Sequence, residues 1–211
     1  MDKLALRGVV PDVFAVQMCG SHGHLWLGGY NDSVALTAPI YTRLVEKSYY
    51  VVAIHGVGIG DSRLRLSALT DLRHAVVDTG TTQFAVPRPV LLAINDLLNR
   101  NELFTAVFGA DFLTSARCQT APSHSKAQLN AQLPRLRILL DEVALDMHAV
   151  SSYLQEMTRD GVTYYCPGIG VTTASSFILG WSVLNQFLTV FDRARARIGF
   201  ASLHPSACAD D

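Results

Sequence analysis

AVVDTGTT, residues 75–82, places the carboxylate of Asp78 at the end of a short apolar run and follows it with a small, hydroxyl-rich turn. Gly80 permits close backbone approach, and threonine hydroxyls can donate hydrogen bonds to a carboxylate that stays ionised while partly desolvated. One chemistry that uses such a group is the activation of water by two carboxylates that share a proton. A single aspartate cannot do this, and Asp-Thr-Gly by itself is also an ordinary turn sequence.

The overall composition is that of an ordinary globular protein. Of the 211 residues, 49% are hydrophobic and 17% are charged, which is enough to bury a core in one large domain or two small ones. The formal net charge is −1, and no stripe of Lys and Arg residues alternates with aromatic residues. The sequence therefore predicts no nucleic-acid partner.

Period-two alternation of apolar residues predicts strands in the middle of the chain. Residues 49–54 are β-branched and aromatic, and Gly56, Gly58 and Gly60 then predict a hairpin turn. Within residues 136–147, apolar residues alternate on both sides of a polar pair, which predicts a second hairpin. These patterns favour an antiparallel β domain.

The remaining segments add few helices. Residues 87–99 begin with prolines suited to a first helical turn and continue with a helical apolar face. Residues 109–132 are polar and predict a long surface loop, whereas residues 187–191 and 198–201 predict another strand pair. The expected fold is mostly β with a few short helices.

Two segments bear on the cellular setting. Residues 175–191 are the most apolar, but polar residues interrupt them and they are short for a bilayer span, so they predict core strands and a connector. Residues 1–12 carry charges and no long apolar run, so they do not resemble a secretory signal. We therefore predict no transmembrane segment or signal peptide in this chain, which is either cytosolic or lacks its true amino-terminal part.

Four cysteines lie far apart and form no CxxC pair: Cys19, Cys118, Cys166 and Cys208. This spacing argues against a zinc knuckle and leaves two long-range disulfides or four buried thiols. Asn31 begins an Asn-Asp-Ser sequon, which is a candidate glycosylation site and would agree with an oxidising compartment.

No metal or organic cofactor is predicted. His22 and His24 flank a glycine, but no third ligand follows at a usable spacing. The glycines of residues 56–60 are not followed by a helical pattern, so they do not predict a dinucleotide site.

Several stretches occur in the order found in one protein family. They are residues 49–52, the AVVDTGTT stretch, residues 86–87 opening a helix, FILG at 177–180 and TVFDRARARIGFA at 189–201. This ordered set resembles the carboxy-terminal half of the pepsin-like aspartic proteases (family A1), from about residue 13 to residue 208. Residues 13–20 and 191–195 are most similar to the beta-secretase type.

The resemblance implies roles for the turn. Asp78 would be the second of the two catalytic aspartates, and no cofactor would be needed. Thr79 and Gly80 would brace Asp78 through hydrogen bonds. Thr81 and Thr82 would line the cleft that binds a peptide substrate.

The resemblance also implies a supporting segment behind the catalytic turn. Ile178, Leu179 and Gly180 look like the apolar-apolar-glycine stretch that passes there, where a glycine lets two backbones approach. Trp181 departs from the polar or acidic residue expected next, which puts the local loop geometry in question.

By the same resemblance, Cys118 pairs with Cys166 and Cys19 with Cys208, which requires a secretory, endosomal or extracellular setting. The expected fold is a single lobe of the bilobal pepsin-like acid protease. Residues 1–19 would be the end of the amino-terminal lobe and the interlobe strand, residues 20–208 the carboxy-terminal lobe, and residues 209–211 a tail.

Only one Asp-Thr-Gly turn occurs in the chain, and no Asp-Ser-Gly occurs. The sequence therefore predicts half of an active site, inactive as an isolated monomer. Its predicted partner is an amino-terminal protease lobe, from the same precursor or from a separate chain, or a larger assembly. A homodimer in which two Asp78 residues meet is a further possibility. The alternative function is a non-catalytic structural or binding subunit derived from an aspartic protease.

Overall fold

The structure, a computed structural model, describes residues 2–20, 22–121, 123–174 and 176–208, so the predicted tail at 209–211 lies outside the described residues. The strands are β1 (Val13–Met18), β2 (Gly23–Leu27), β3 (Ile40–Glu46), β4 (Val51–Ile59), β5 (Ser62–Arg63), β6 (His74–Val77), β7 (Phe84–Val86), β8 (Gln119–Thr120), β9 (Leu136–Leu140), β10 (Ala144–Met147), β11 (Leu154–Arg159), β12 (Val162–Pro167), β13 (Ile169–Val171), β14 (Phe177–Leu179), β15 (Phe187–Asp192) and β16 (Arg197–Ser202).

The helices are short. They are α1 (Asp2–Leu6), α2 (Arg88–Leu98), α3 (Glu102–Phe108), α4 (Phe112–Ser115), α5 (Lys126–Gln132) and α6 (Trp181–Leu184), with 3₁₀ turns at Asp32–Val34 and Leu66–Ala68. Within the described ranges, no helix is long and apolar enough to cross a membrane.

Most strands join one large sheet. Its order is β13-β7-β14-β6-β4-β3-β16-β15-β1-β2, with β5 and the β9–β10 hairpin attached to β4. A smaller sheet has the order β11-β12-β8. This mostly β architecture with a few short helices is the one that the sequence predicted.

Several predicted elements are confirmed. The helix expected at residues 87–99 is α2, and the two hairpins expected near the middle and the end of the chain are β9–β10 and β15–β16. The apolar face of α2 is buried against the large sheet, and it includes Val90, Ile94 and Leu98 with no exposed surface. Burial of side chains of this size stabilises the fold by about 2 kcal/mol each.

Two sequence expectations are wrong. Gly56 and Gly58 lie inside β4 instead of ending it, and only Gly60, with φ +55°, makes the turn. A Cβ at Gly58 would lie 2.8 Å from the backbone oxygen of Ser62, so the glycine allows β5 to fold back closely on β4. The loop predicted at residues 109–132 contains α4, β8 and α5, because local caps and a buried Leu129 order it.

Both disulfides implied by the resemblance are present, so the alternative of four free thiols is wrong. Cys19 pairs with Cys208, with 5.4 Å between their Cα atoms, and Cys118 pairs with Cys166, with 4.1 Å. Each bond closes a long loop and contributes roughly 2 to 5 kcal/mol by constraining the unfolded chain. Two such bonds fit an oxidising compartment such as the secretory pathway.

A buried carboxylate ties the end of β15 to β16. Asp192 is 2% exposed and accepts hydrogen bonds from Arg197 Nε at 2.8 Å and Arg195 Nη1 at 3.2 Å. Arg197 also stacks over the ring of Tyr41, 3.8 Å from its centroid. Burial acts to raise the pKa of Asp192, but the hydrogen bonds from Arg197 and Arg195 outweigh it and hold the pKa below its ordinary value.

Asp192→Asn should lower the free energy of unfolding by about 2 kcal/mol near neutral pH, because two guanidinium groups lose their carboxylate. A folded-state pKa that is lowered contributes stability above the ordinary aspartate pKa of about 4, and this contribution is lost as pH falls through the lowered value. Urea unfolding should therefore show a wild-type advantage at about pH 6 that shrinks at about pH 2.

The control for this prediction is Asp96→Asn, which removes an exposed carboxylate on α2. It should change the unfolding free energy by less than about 0.5 kcal/mol. An Asp192→Asn effect that is equally large at both pH values would contradict the assigned role of the ion pair.

Candidate active site

The AVVDTGTT turn holds both carboxylate oxygens of Asp78. β6 ends at the buried Val77, and Asp78 itself is partly buried. The Gly80 N–H donates to Asp78 Oδ1 at 2.9 Å, and the Thr81 hydroxyl donates to Asp78 Oδ2 at 2.6 Å. Hydrogen bonds to an ionised oxygen are short and strong, so the two bonds fix the orientation of the carboxylate.

Thr79 does not have the contact with Asp78 that the sequence analysis predicted. Thr79 is exposed, and among the described residues its hydroxyl makes no hydrogen bond to Asp78 or to any other group. The expectation that Thr79 braces Asp78 by a hydrogen bond is therefore corrected: Gly80 and Thr81 supply the bonds. The reason is turn geometry, because residues two and three positions after an aspartate return toward its side chain.

Thr82 is also exposed, but its backbone oxygen is well anchored. It accepts hydrogen bonds from Gln155 Nε2 at 3.0 Å and from the Ser182 N–H at 3.0 Å. The turn is thus fixed at its last residue, while the Thr82 side chain stays accessible to solvent.

The segment expected behind the turn lies there. β14 runs between β6, to which it is parallel, and β7, to which it is antiparallel. Ile178 pairs with Val76 on one side and Ala85 on the other, and the Asp78 N–H donates to the Leu179 oxygen at 3.0 Å. The strand that leads into the turn is therefore held by a segment far along the chain.

Gly180 makes the close approach possible. A Cβ at this position would lie 2.4 Å from the Gln83 oxygen and 2.5 Å from the Thr81 oxygen, both backbone atoms that cannot move away cheaply. The next residue, Trp181, donates its N–H to the Thr81 oxygen at 2.7 Å. Because any non-proline residue supplies that N–H, the unexpected tryptophan leaves the backbone geometry of the turn intact.

Ser182 is a supporting residue that the sequence analysis missed. It is 1% exposed, its hydroxyl accepts a hydrogen bond from the Phe84 N–H at 2.7 Å, and it donates to the Gly168 oxygen at 2.8 Å. The hydroxyl thus joins the start of α6 to β7 and to the end of β12. Its position two residues after Gly180 could have indicated this supporting role from the sequence.

Trp181 also lines a cavity that none of residues 75–82 borders. The cavity has a volume of about 350 Å³, and its wall includes His148, Asn185 and the Lys126–Glu156 ion pair, whose atoms lie 3.2 Å apart. Burial lowers the pKa of His148, and the charge of Arg135 lowers it further. The cavity wall therefore combines charged and amide side chains with apolar surface that includes Trp181, Met18 and Val150.

Among the described residues, Asp78 makes neither an ion pair nor a hydrogen bond to a second carboxyl group. No three His, Cys, Asp or Glu side chains in the same ranges are grouped so that they could hold a metal ion. The chemistry available at the turn is that of one oriented carboxylate, which becomes a general acid or base only with a reacting partner.

The glycosylation candidate lies away from the turn. Asn31 is exposed at the start of the Asp32–Val34 turn, and its Oδ1 accepts hydrogen bonds from the Ser33 N–H at 3.0 Å and the Ser33 hydroxyl at 2.8 Å. The Asn31 Nδ2 atom, which a glycan would modify, takes part in neither of these bonds.

Comparison with known proteins extends the resemblance over nearly the whole chain. The profile of the family described as "Eukaryotic aspartyl protease" matches residues 1–203. An aspartic protease of Phaffia rhodozyma is 23% identical over 193 residues, which are 92% of this chain and 44% of that protein. Cathepsin E of Mus musculus is 22% identical over 88% of this chain and 43% of its own length.

A third relative has a similar coverage. Cathepsin D of Chionodraco hamatus is 24% identical over 186 residues, which are 85% of this chain and 42% of that protein. The chain therefore spans less than half the length of these curated relatives.

Gly180→Ala should lower the free energy of unfolding by about 3 kcal/mol or prevent folding, because its Cβ would overlap two backbone oxygens. Gly29→Ala is the matched control, since a Cβ there meets no atom within 4 Å. Thermal unfolding of both variants measures the difference. Equal stability of the two variants would contradict the close approach behind the turn.

Thr81→Val should lower the free energy of unfolding by about 1 kcal/mol, because it removes a hydroxyl that donates to a partly buried carboxylate while keeping the side-chain shape. Thr79→Val is the matched control, because the Thr79 hydroxyl makes no hydrogen bond within the described residues. It should change the free energy of unfolding by less than about 0.5 kcal/mol. Urea unfolding near neutral pH compares them. The reverse ranking would mean that Thr79 is the bracing residue.

Proposed function

The chain belongs to the eukaryotic aspartyl protease family, and from this membership we propose that it is the carboxy-terminal lobe of an aspartic endopeptidase. In this proposal Asp78 is one of two catalytic aspartates, and a partner lobe supplies the other. The observation that carries the proposal is the turn itself: both oxygens of Asp78 are held by donors, and no cationic side chain of the described residues pairs with them. The beta-secretase type is the proposed subgroup, on the basis of residues 13–20 and 191–195.

The proposed reaction is hydrolysis of a peptide bond. Two neighbouring carboxyl groups cannot both ionise easily, so one stays protonated while the other is charged. A water held between them gives its proton to the ionised carboxylate as it attacks the peptide carbonyl carbon. The protonated carboxyl group donates a hydrogen bond to the carbonyl oxygen as negative charge develops there.

The residues around Asp78 have positioning roles in this scheme. The Gly80 N–H and the Thr81 hydroxyl fix the orientation of the Asp78 carboxyl group without contributing a charge. Thr82, which is exposed on an anchored backbone, lines the substrate cleft together with Thr81. Ile178, Leu179 and Gly180 support the turn from behind.

The proposed partner is an amino-terminal protease lobe, from the same precursor or from a separate chain. The support is quantitative: the chain spans 42% to 44% of the three relatives described above and contains a single Asp-Thr-Gly turn. Residues 1–19 form the end of that lobe and the interlobe strand in this proposal. Asn31 carries an N-linked glycan, and the assembly works in an endosomal or extracellular compartment.

The test is the cleavage of a peptide by the native assembly, purified with whatever binds the chain. Cleavage at acid pH that pepstatin inhibits should fall by at least about a thousandfold in Asp78→Asn, because the variant keeps the shape of the side chain but cannot accept a proton. Asp71→Asn removes an exposed carboxylate outside the turn and should leave the rate unchanged.

Three other outcomes would redirect the proposal. Equal rates for wild type and Asp78→Asn, or no cleavage by an intact assembly, would favour a non-catalytic structural or binding subunit. Activity of the purified chain alone, with a dimeric mass, would replace the partner lobe with a second copy of this chain.

A further inference from the structure

A second surface feature lies at the β4–β5 hairpin, away from the AVVDTGTT turn. A groove of about 390 Å³ is lined by the guanidinium-bearing residues Arg63, Arg65 and Arg73, by His55, and by Ser67. We call it the basic groove. All three arginines are exposed, and none forms an ion pair with a carboxylate of the described residues. His55, at the rim, is paired with Asp141.

Some arginines elsewhere in the chain do have carboxylate partners. Arg135 and Arg137 pair with Asp146, and Arg195 and Arg197 pair with Asp192. In a chain with a net charge of −1, three neighbouring arginines that pair with no carboxylate of the described residues favour a local positive potential.

The backbone holds one of the three guanidinium groups and leaves room for a second. A Cβ at Gly56 would lie 2.9 Å from Arg63 Nε and 3.2 Å from Arg63 Nη2, so the missing side chain in β4 makes room for this guanidinium. Arg73 Nη1 donates to the backbone oxygens of Thr70 and Leu72 at 2.7 and 2.8 Å. A glycine inside a strand lowers stability, so its presence needs a physical reason. At Gly56 that reason is the close approach of the Arg63 side chain.

The hairpin gives the groove a fixed frame. β5 pairs with β4 through Gly58 and Arg63, and the following 3₁₀ turn inserts the buried Leu66 into the core. Arg63 and Arg65 are two positions apart, a spacing that places side chains on the same side of an extended chain.

The basic groove is separate from the proposed catalytic site. Val51 pairs with Val76 near the start of β4, next to Asp78, whereas His55 and Gly56 lie further along the same strand. At the rise of an extended strand, the distance from Asp78 to the groove is roughly 20 Å. A ligand in the groove does not contact the carboxylate.

We propose that the basic groove binds a small polyanion that carries phosphate or sulfate groups. A guanidinium presents a planar pair of donors that matches two oxygens of a tetrahedral anion, and Arg is therefore well suited to such groups. The volume of the basic groove is near the lower end of the range for small-molecule sites. Three cations around so small a volume favour a compact, highly charged ligand over an extended acidic chain. The Ser67 hydroxyl supplies a further donor.

Isothermal titration calorimetry of the full chain at low ionic strength tests the proposal, with inorganic pyrophosphate as the phosphate probe and a disulfated heparin disaccharide as the sulfate probe. At least one should bind, and binding should weaken as salt is added. Arg63→Gln and Arg65→Gln should each weaken it by about tenfold or more, because a charge-assisted hydrogen bond is lost.

Two further variants separate a shaped site from general attraction. Arg100→Gln removes the same charge from an exposed position elsewhere and should weaken binding by less than about twofold. Gly56→Ala keeps every charge but its Cβ would shift the Arg63 guanidinium, so it should weaken binding measurably but less than Arg63→Gln does. Melting curves of all variants establish that they are folded.

Either probe binding alone supports the proposal and identifies the source of the anion. Failure of both probes to bind wild type at millimolar concentration would overturn it. So would an equal loss of affinity in Arg100→Gln, or tighter binding of a Glu-rich peptide than of both probes. None of these results depends on peptidase activity, so the basic groove and the proposed function fail independently.

Discussion

The insertion of β14 between β6 and β7 is the constraint on which the candidate site depends. It places the Leu179 oxygen where the Asp78 N–H donates to it, and the Trp181 N–H where it donates to Thr81. The two backbones come this close only because Gly180 has no side chain. With the backbone held on both sides, the Gly80 N–H and the Thr81 hydroxyl can orient a carboxylate that would otherwise turn freely in solvent.

The rest of the lobe keeps β14 in place. The Ser182 hydroxyl joins α6 to Phe84 in β7 and to Gly168, just after β12. Cys166 lies two residues before Gly168, and its disulfide to Cys118 connects this point to the segment that follows α4. Core packing, a covalent bond and a buried hydroxyl therefore act on the same few residues, so that changes distant from Asp78 reach it through β14.

The sequence predicted elements whose pattern is local. The apolar face of α2 follows from apolar residues with a period of 3.6, and the β9–β10 hairpin from apolar residues with a period of two. Both patterns are complete within about a dozen residues. Gly56 and Gly58 led to a wrong turn prediction because these glycines serve tertiary contacts. The Arg63 side chain and the Ser62 backbone lie close to β4 at these positions. The roles of Thr79 and Thr81 depend on turn geometry, which four adjacent letters do not specify. The convergence of Arg63, Arg65 and Arg73 likewise needs the folded hairpin.

The lobe thus contains an oriented carboxylate, Asp78, with no second carboxyl group beside it among the described residues. It also contains the basic groove, at a distance from that carboxylate. The central claim is that Asp78 is half of a catalytic pair, and the most direct test is the structure of the native assembly. The account predicts a carboxyl group from another lobe or chain at about 3 Å from an Asp78 oxygen, close enough to share a proton. An Asp78 that faces solvent or its own lobe, with no such acid nearby in the intact assembly, would contradict it.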